Sequence, residues 1–154
     1  MVSRIGKLSS YLSLFLIFAV CLDVVLRIFD SSVTWLNDLQ WHLFSALFLL
    51  GGAYTFQKDK HVRVDLFYNK FSPKNRALVN IVGITSLLMP WCLILLIYTF
   101  QYALDSLKIF EGSPDPNGLP YRFIIKIILF LSIFLLMLQA LSNLLKQIKI
   151  YKSH

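Results

Sequence analysis

Asp23 and Arg27 stand four residues apart inside an apolar run, and Lys126 follows Arg122 by four at the start of another. That spacing puts two side chains on one helix face, where opposite charges can meet. A charge facing hydrocarbon alone is costly, so such residues mark an ion or proton path, or a neutralised pair that fixes helix register. Asp23 and Lys126 fall at broadly similar depth, but one acid and two bases make a thin relay. Pairing of Asp23 with Arg27, and snorkelling of Lys126 to the interface, are the plainer accounts. The histidines offer no metal or haem site: His42 and His61 lie nineteen residues apart, roughly 28 Å along a helix, and His154 sits in a polar tail. No nucleotide-binding loop, ligand cluster or nucleophile–base pair is present, which argues against an enzyme and against a cofactor. Cys21 and Cys92 fall within apolar runs and read as small buried hydrophobes rather than disulfide partners.

These charges are set in an apolar chain. Of 154 residues, 57% are hydrophobic and 15% charged, with a mean hydropathy of +0.67. A soluble domain of this size carries far more charge on its surface. The apolar residues come in four blocks, 9–29, 39–56, 78–104 and 123–145, each near the ~20 residues that cross a bilayer. The spacing predicts an all-α membrane protein with one domain over 1–154 and helices at about 9–29, 36–57, 73–107 and 120–146. The first block follows Arg4 and Lys7 as a signal peptide would, but no small-x-small site closes it. A retained helix is expected.

Orientation follows from the cations. Arg4 and Lys7, then Lys58, Lys60, Arg63, Lys70, Lys74 and Arg76, then Lys146, Lys149 and Lys152 place 11 of the 15 basic residues on one side of a four-span chain. Asp30, Asp38, Asp105, Glu111 and Asp115 fall on the other side. By the positive-inside rule both termini are expected in the cytoplasm. The net charge of +7 then reflects topology and contact with anionic membrane lipids, not nucleic-acid binding. Ser72-Pro73 is a helix start, a capping hydroxyl with proline at the first helical position. Pro90 frees the carbonyl of Ser86, so a kink is expected. Small residues (Ser45 with Gly52, Ala46 with Ala53, Gly83 with Ser86) form stripes that let helices approach closely or seat a partner. Few polar residues lie at mid-depth, so no translocation route is evident.

The stretch LQWHLFSALFLLGGAYTFQKDKHVRVDLFY at 39–68 closely resembles the small membrane subunit of tripartite ATP-independent periplasmic (TRAP) transporters. SPDPNGLPYRFIIK at 113–126 and LLMLQALSNLL at 135–145 extend the likeness over most of the chain. The resemblance implies a non-catalytic scaffold subunit in a bacterial inner membrane. Its partners would be a large permease subunit, driven by sodium and importing small organic acids, and a periplasmic substrate-binding protein. Relatives commonly carry Asp-Gly-His where this chain has Asp59-Lys60-His61, so a tight glycine turn there is not expected. His61, Arg63 and Asp65 alternate with Val62 and Val64, which suits an interfacial segment with two unlike faces between the second and third helices. Asp23, Arg27, Asp38, His61, Arg63, Asp65, Arg122 and Lys126 are the expected structural or partner contacts. Glu111 and Asp115 are expected as exposed acids of a proline-stiffened loop that docks the binding protein. A small membrane anchor for a redox or signalling complex is the alternative.

Overall fold

The computed structural model describes residues 2–31, 33–58 and 71–153. Four helices account for nearly all of them: α1 (Val2–Ile28), α2 (Thr34–Gln57), α3 (Pro73–Lys108) and α4 (Phe123–Ser153). No strand occurs among the described residues. His61, Arg63 and Asp65 lie outside the described residues.

The helices form a layer rather than a closed bundle. α1 packs on α2, α2 on α4, and α4 on α3, so the order across the layer is α1, α2, α4, α3. The contacts are made through small side chains. Ala19, Ala46, Ala77, Ala103 and Ala140 are buried, with Cys92, Thr99 and Ser132. Small residues let backbones approach where lipid removes the hydrophobic drive between helices. Large side chains point outward instead, among them Phe15, Phe18, Phe48, Leu87 and Ile97. A sheet of helices one layer thick leaves both faces apolar, and only lipid or another subunit can cover them.

Three of the helices are long and apolar enough to cross a membrane: α1 from Tyr11, α3 and α4. The sequence reads as four spans; by length and composition three of the described helices qualify and α2 does not. Asn37, Asp38, Gln40 and His42 lower the hydropathy of the first half of α2. Their placement between α1 and α4 gives several of them partners.

Local chemistry sets the helix ends. Ser72 caps α3, its Oγ accepting from the Asn75 N–H at 3.3 Å with Pro73 at the first helical position. α1 and α3 stop alike. Asp30 (φ 52°) and Phe110 (φ 46°) adopt the left-handed conformation, and the next residue donates back to close the helix: Ser31 N–H to Leu26 O at 3.0 Å, Glu111 N–H to Ser106 O at 3.0 Å. The second of these closures places Glu111 directly over the start of α4.

α3 absorbs Pro90 by widening one turn. Residues Ile84–Leu88 form a π-turn, in which Met89 N–H donates to Ile84 O rather than one residue later. The extra residue relieves the clash that a proline ring makes with the preceding turn. Ser86 Oγ donates to the Val82 carbonyl at 2.6 Å. Gly51, Gly52 and Gly83 face open space, since a Cβ there would meet nothing within 4 Å. The glycines of the expected stripes therefore do not hold these four helices together. Of the cysteines, Cys92 is buried as expected of a small hydrophobe, but Cys21 is exposed on the outer face of α1.

Candidate functional site

The loop from Ile109 to Arg122 joins α3 to α4 and folds down onto the first turns of both α4 and α2. Backbone hydrogen bonds brace it: Ser113 N–H to Leu119 O at 2.9 Å and Gly118 N–H to Asp115 O at 3.1 Å. Asn117 takes a left-handed turn at φ 60°, which asparagine tolerates. Gly118 is required by proximity. A Cβ there would collide with Ser113 and come within 2.5 Å of Asp38 Oδ2.

Asp38 is the anchor of this contact. It is nine-tenths buried, and its Oδ2 accepts the Leu119 N–H at 2.9 Å, a bond spanning 81 residues of sequence. Its carbonyl accepts from Nδ1 of His42, one turn along α2, at 2.5 Å. α2, whose first half carries these polar residues, is thus the helix that receives the loop.

Glu111 and Lys126 form the second contact. Lys126 Nζ lies 2.5 Å from Glu111 Oε2, and the Lys126 side chain is only 9% exposed. The same ammonium stands 3.8 Å from the centre of the Tyr102 ring on α3, a cation–π contact in a largely desolvated place. Arg122 Nε approaches Glu111 Oε1 at 3.9 Å. The Lys126 ammonium bonded to it, and then the buried Ser106 hydroxyl, hold the Glu111 carboxyl below its ordinary range. Partial burial opposes this, and the charge of Arg122 adds to it. The expectation of two exposed acids is therefore corrected in half. Asp115 is exposed, but Glu111 is partly buried and already engaged by two cations.

Along the layer, α1 and α2 carry a third contact. Asp23 Oδ2 lies 2.9 Å from Arg27 Nη2, and Arg27 donates on to Asn37 Oδ1 of α2 at 3.2 Å. Asp23 is 4% exposed. Asp23 and Lys126, which the sequence places at similar depth, are each engaged by a partner of their own. Asn37, Tyr102, Ser106 and Gly118 belong to these contacts and were not singled out from the sequence. Only Gly118, beside Asn117 in a turn-rich loop, carried a local signal. Taken together, α1's end, α2's start, α3's end and α4's start are tied along one rim by hydrogen-bonded acids.

Nothing in this rim is arranged as a nucleophile with its base. It is a brace for a membrane-embedded helical layer, and that is the class of protein the fold and the rim define. Residues 16–150 match the DctQ component of tripartite ATP-independent periplasmic transporters, and the chain belongs to that family. The family is a transporter component rather than an enzyme family. A curated relative from Haemophilus influenzae, whose name describes it as a TRAP transporter small permease protein, is 33% identical over 107 residues. That alignment covers 66% of this chain and 64% of the relative, so the chain spans somewhat less than two thirds of the relative it matches.

Proposed function

We propose that this chain is the static scaffold subunit of a sodium-coupled importer of small organic acids fed by a periplasmic binding protein. In this reading all four helices cross the bacterial inner membrane, with both termini cytoplasmic and the 109–122 loop in the periplasm. The helix layer braces the large permease subunit, which carries the substrate. The observation that carries the reading is the layer itself. Both faces are apolar, the helices touch through small side chains, and mid-depth offers no polar route among the described residues, so the chain suits holding another subunit better than moving a solute. A shallow apolar groove of about 360 Å³ between α3 and α4, lined by Ile97, Phe100 and Phe130 among others, adds to the surface for that subunit. Asp115 and the prolines around it are the part of the loop left to meet the binding protein; Glu111 is withdrawn from that role.

The test is reconstitution. The large subunit in proteoliposomes, with sodium gradient and binding protein supplied, should import its organic acid only when this chain is present. Undiminished uptake without the chain would remove the scaffold role. Orientation is read separately by impermeant thiol reagents, on a background lacking Cys21. D115C should label from outside, while N75C and K152C should not.

A further inference from the structure

The loop, α2 and the start of α4 enclose a cavity of about 140 Å³ that the braces above do not fill. Its lining includes Asp38, Trp41, His42, Ser113, Asp115 and Arg122. The lining has more acceptors than donors. Among the described residues no lysine or arginine forms an ion pair with Asp38 or Asp115. The Asp38 carbonyl can only accept, so His42 Nδ1 carries the hydrogen toward it, and in the neutral ring Nε2 is then the lone-pair nitrogen. That Nε2 is buried and has no partner. Ser113 Oγ already accepts the Asp115 N–H.

Two carboxylates and an imine nitrogen around one small space call for a group rich in N–H donors. Among the described residues no three His, Cys, Asp or Glu side chains converge closely enough for a metal ion. A primary ammonium has three donors and a positive charge. On the same lining, Arg122 is the one cation, with guanidinium donors beyond its long contact to Glu111. The cavity therefore has an acidic part and a basic part, as a zwitterion requires. Its depth is marked by Trp35, Trp41 and Tyr121, all exposed at this end of the layer. Exposed tryptophan and tyrosine gather where headgroups begin.

We propose that this cavity is a headgroup site for a phosphoethanolamine lipid. The ammonium is held between Asp38 and Asp115 on the side of His42, and the phosphate by Arg122. The site seats one lipid where the loop meets α2, and it needs only that this end of the layer lies at a bilayer surface, whatever the complex transports.

The experiment is native mass spectrometry of the full chain released from micelles containing lipids of matched acyl chains. Phosphatidylethanolamine should be retained at least about fivefold over phosphatidylcholine, whose methylated ammonium has no N–H, and over phosphatidylglycerol, which has no ammonium. D38N and H42F should each bring the ratios near one, R122Q should lower retention of all three phospholipids together, and D105N should leave both retention and ratios as they are. D115N changes an exposed carboxylate without touching the loop's bond to α2, so it separates loss of binding from loss of fold. Equal retention of the three lipids by the unmodified chain overturns the proposal, as does a preference that survives D38N, H42F and D115N. Absence of preference together with weaker cross-linking of D38N to a binding protein would assign the cavity to a partner's lysine instead, and the lipid site would fall.

Discussion

Asp23–Arg27 and Glu111–Lys126 are mirror images of one another. In the first pair the acid is buried, at 6% side-chain exposure, and the base is 59% exposed. In the second the base is buried, at 9%, and the acid is 26% exposed. Their origins differ more than their geometry. Asp23 and Arg27 share one helix, so their pair exists as soon as α1 does. Glu111 reaches Lys126 only after α3 has ended in its left-handed turn and α4 has packed alongside it. The first pair neutralises a helix; the second records that α4 has packed beside α3. A pair that depends on tertiary structure also stabilises it, and the two are expected to fail differently.

The largest effect is expected at Glu111. E111A leaves Lys126 buried against Tyr102 with no carboxylate, and breaking a buried pair on one side is strongly destabilising. Recovery of folded chain should drop by roughly tenfold, more than for any change at Asp23, with E111L/K126M regaining most of it because two apolar side chains of similar volume replace the pair. Acid adds a second reading. The folded-state carboxyl lies below its ordinary range, so its contribution is present above that range and is lost as pH falls through the lowered value. Thermal denaturation across that window should show the loss in the unmodified chain and not in E111Q. An E111A chain as stable as the parent would show that the loop does not depend on this contact.

At Asp23 the two halves of the pair should not be equal. R27A leaves a buried carboxylate without its cation and costs about 2 kcal/mol, the scale of a buried charged group stripped of its partner. D23A leaves Arg27 exposed and still bonded to Asn37, so its cost should be smaller, under about 1 kcal/mol. The double change should lie near D23A rather than at the sum. Melting of the four variants in one detergent gives the cycle. Equal losses from R27A and D23A would mean that burial of Asp23 carries no weight.

The same contrast explains what could be read in advance. Apolar blocks, the Ser72-Pro73 start and the i to i+4 spacing of Asp23 and Arg27 are local, and local rules reach them. Glu111 was not legible because a loop with three prolines and two glycines reads as surface, and nothing near it in sequence announces Lys126 fifteen residues on. Asp38 meets Leu119 across 81 residues, beyond any local pattern. The weaker hydropathy of α2 was visible in Asn37, Gln40 and His42, but its consequence, a helix placed to receive the loop, depends on α4 lying beside it. Pro90 announced a perturbed turn; that the chain answers with a π-turn at Ile84–Leu88 depends on how the ladder redistributes its hydrogen bonds. His61, Arg63 and Asp65 remain expectations from sequence alone.

The smallest effect is expected at Asp105 and Lys108, and there the comparison meets its control. Their Oδ1–Nζ separation of 2.9 Å equals that of Asp23 and Arg27, and the pair sits near the end of α3 close to the same rim. Distance alone would rank the two pairs together. Exposure separates them, since Asp105 and Lys108 are 72% and 70% exposed and Asp23 is 6% exposed. Charges in reach of water are screened and lose side-chain entropy on pairing, so D105N should cost no more than about 0.3 kcal/mol. Added salt should erase that difference, while the R27A loss persists because its carboxylate is shielded from the solution. The measurement is melting of D105N and R27A beside the parent at low and high salt. A D105N loss as large as that of R27A, at either salt, would mean that pair geometry and not burial sets the scale along this rim, and the ranking from Glu111 downward would have to be abandoned.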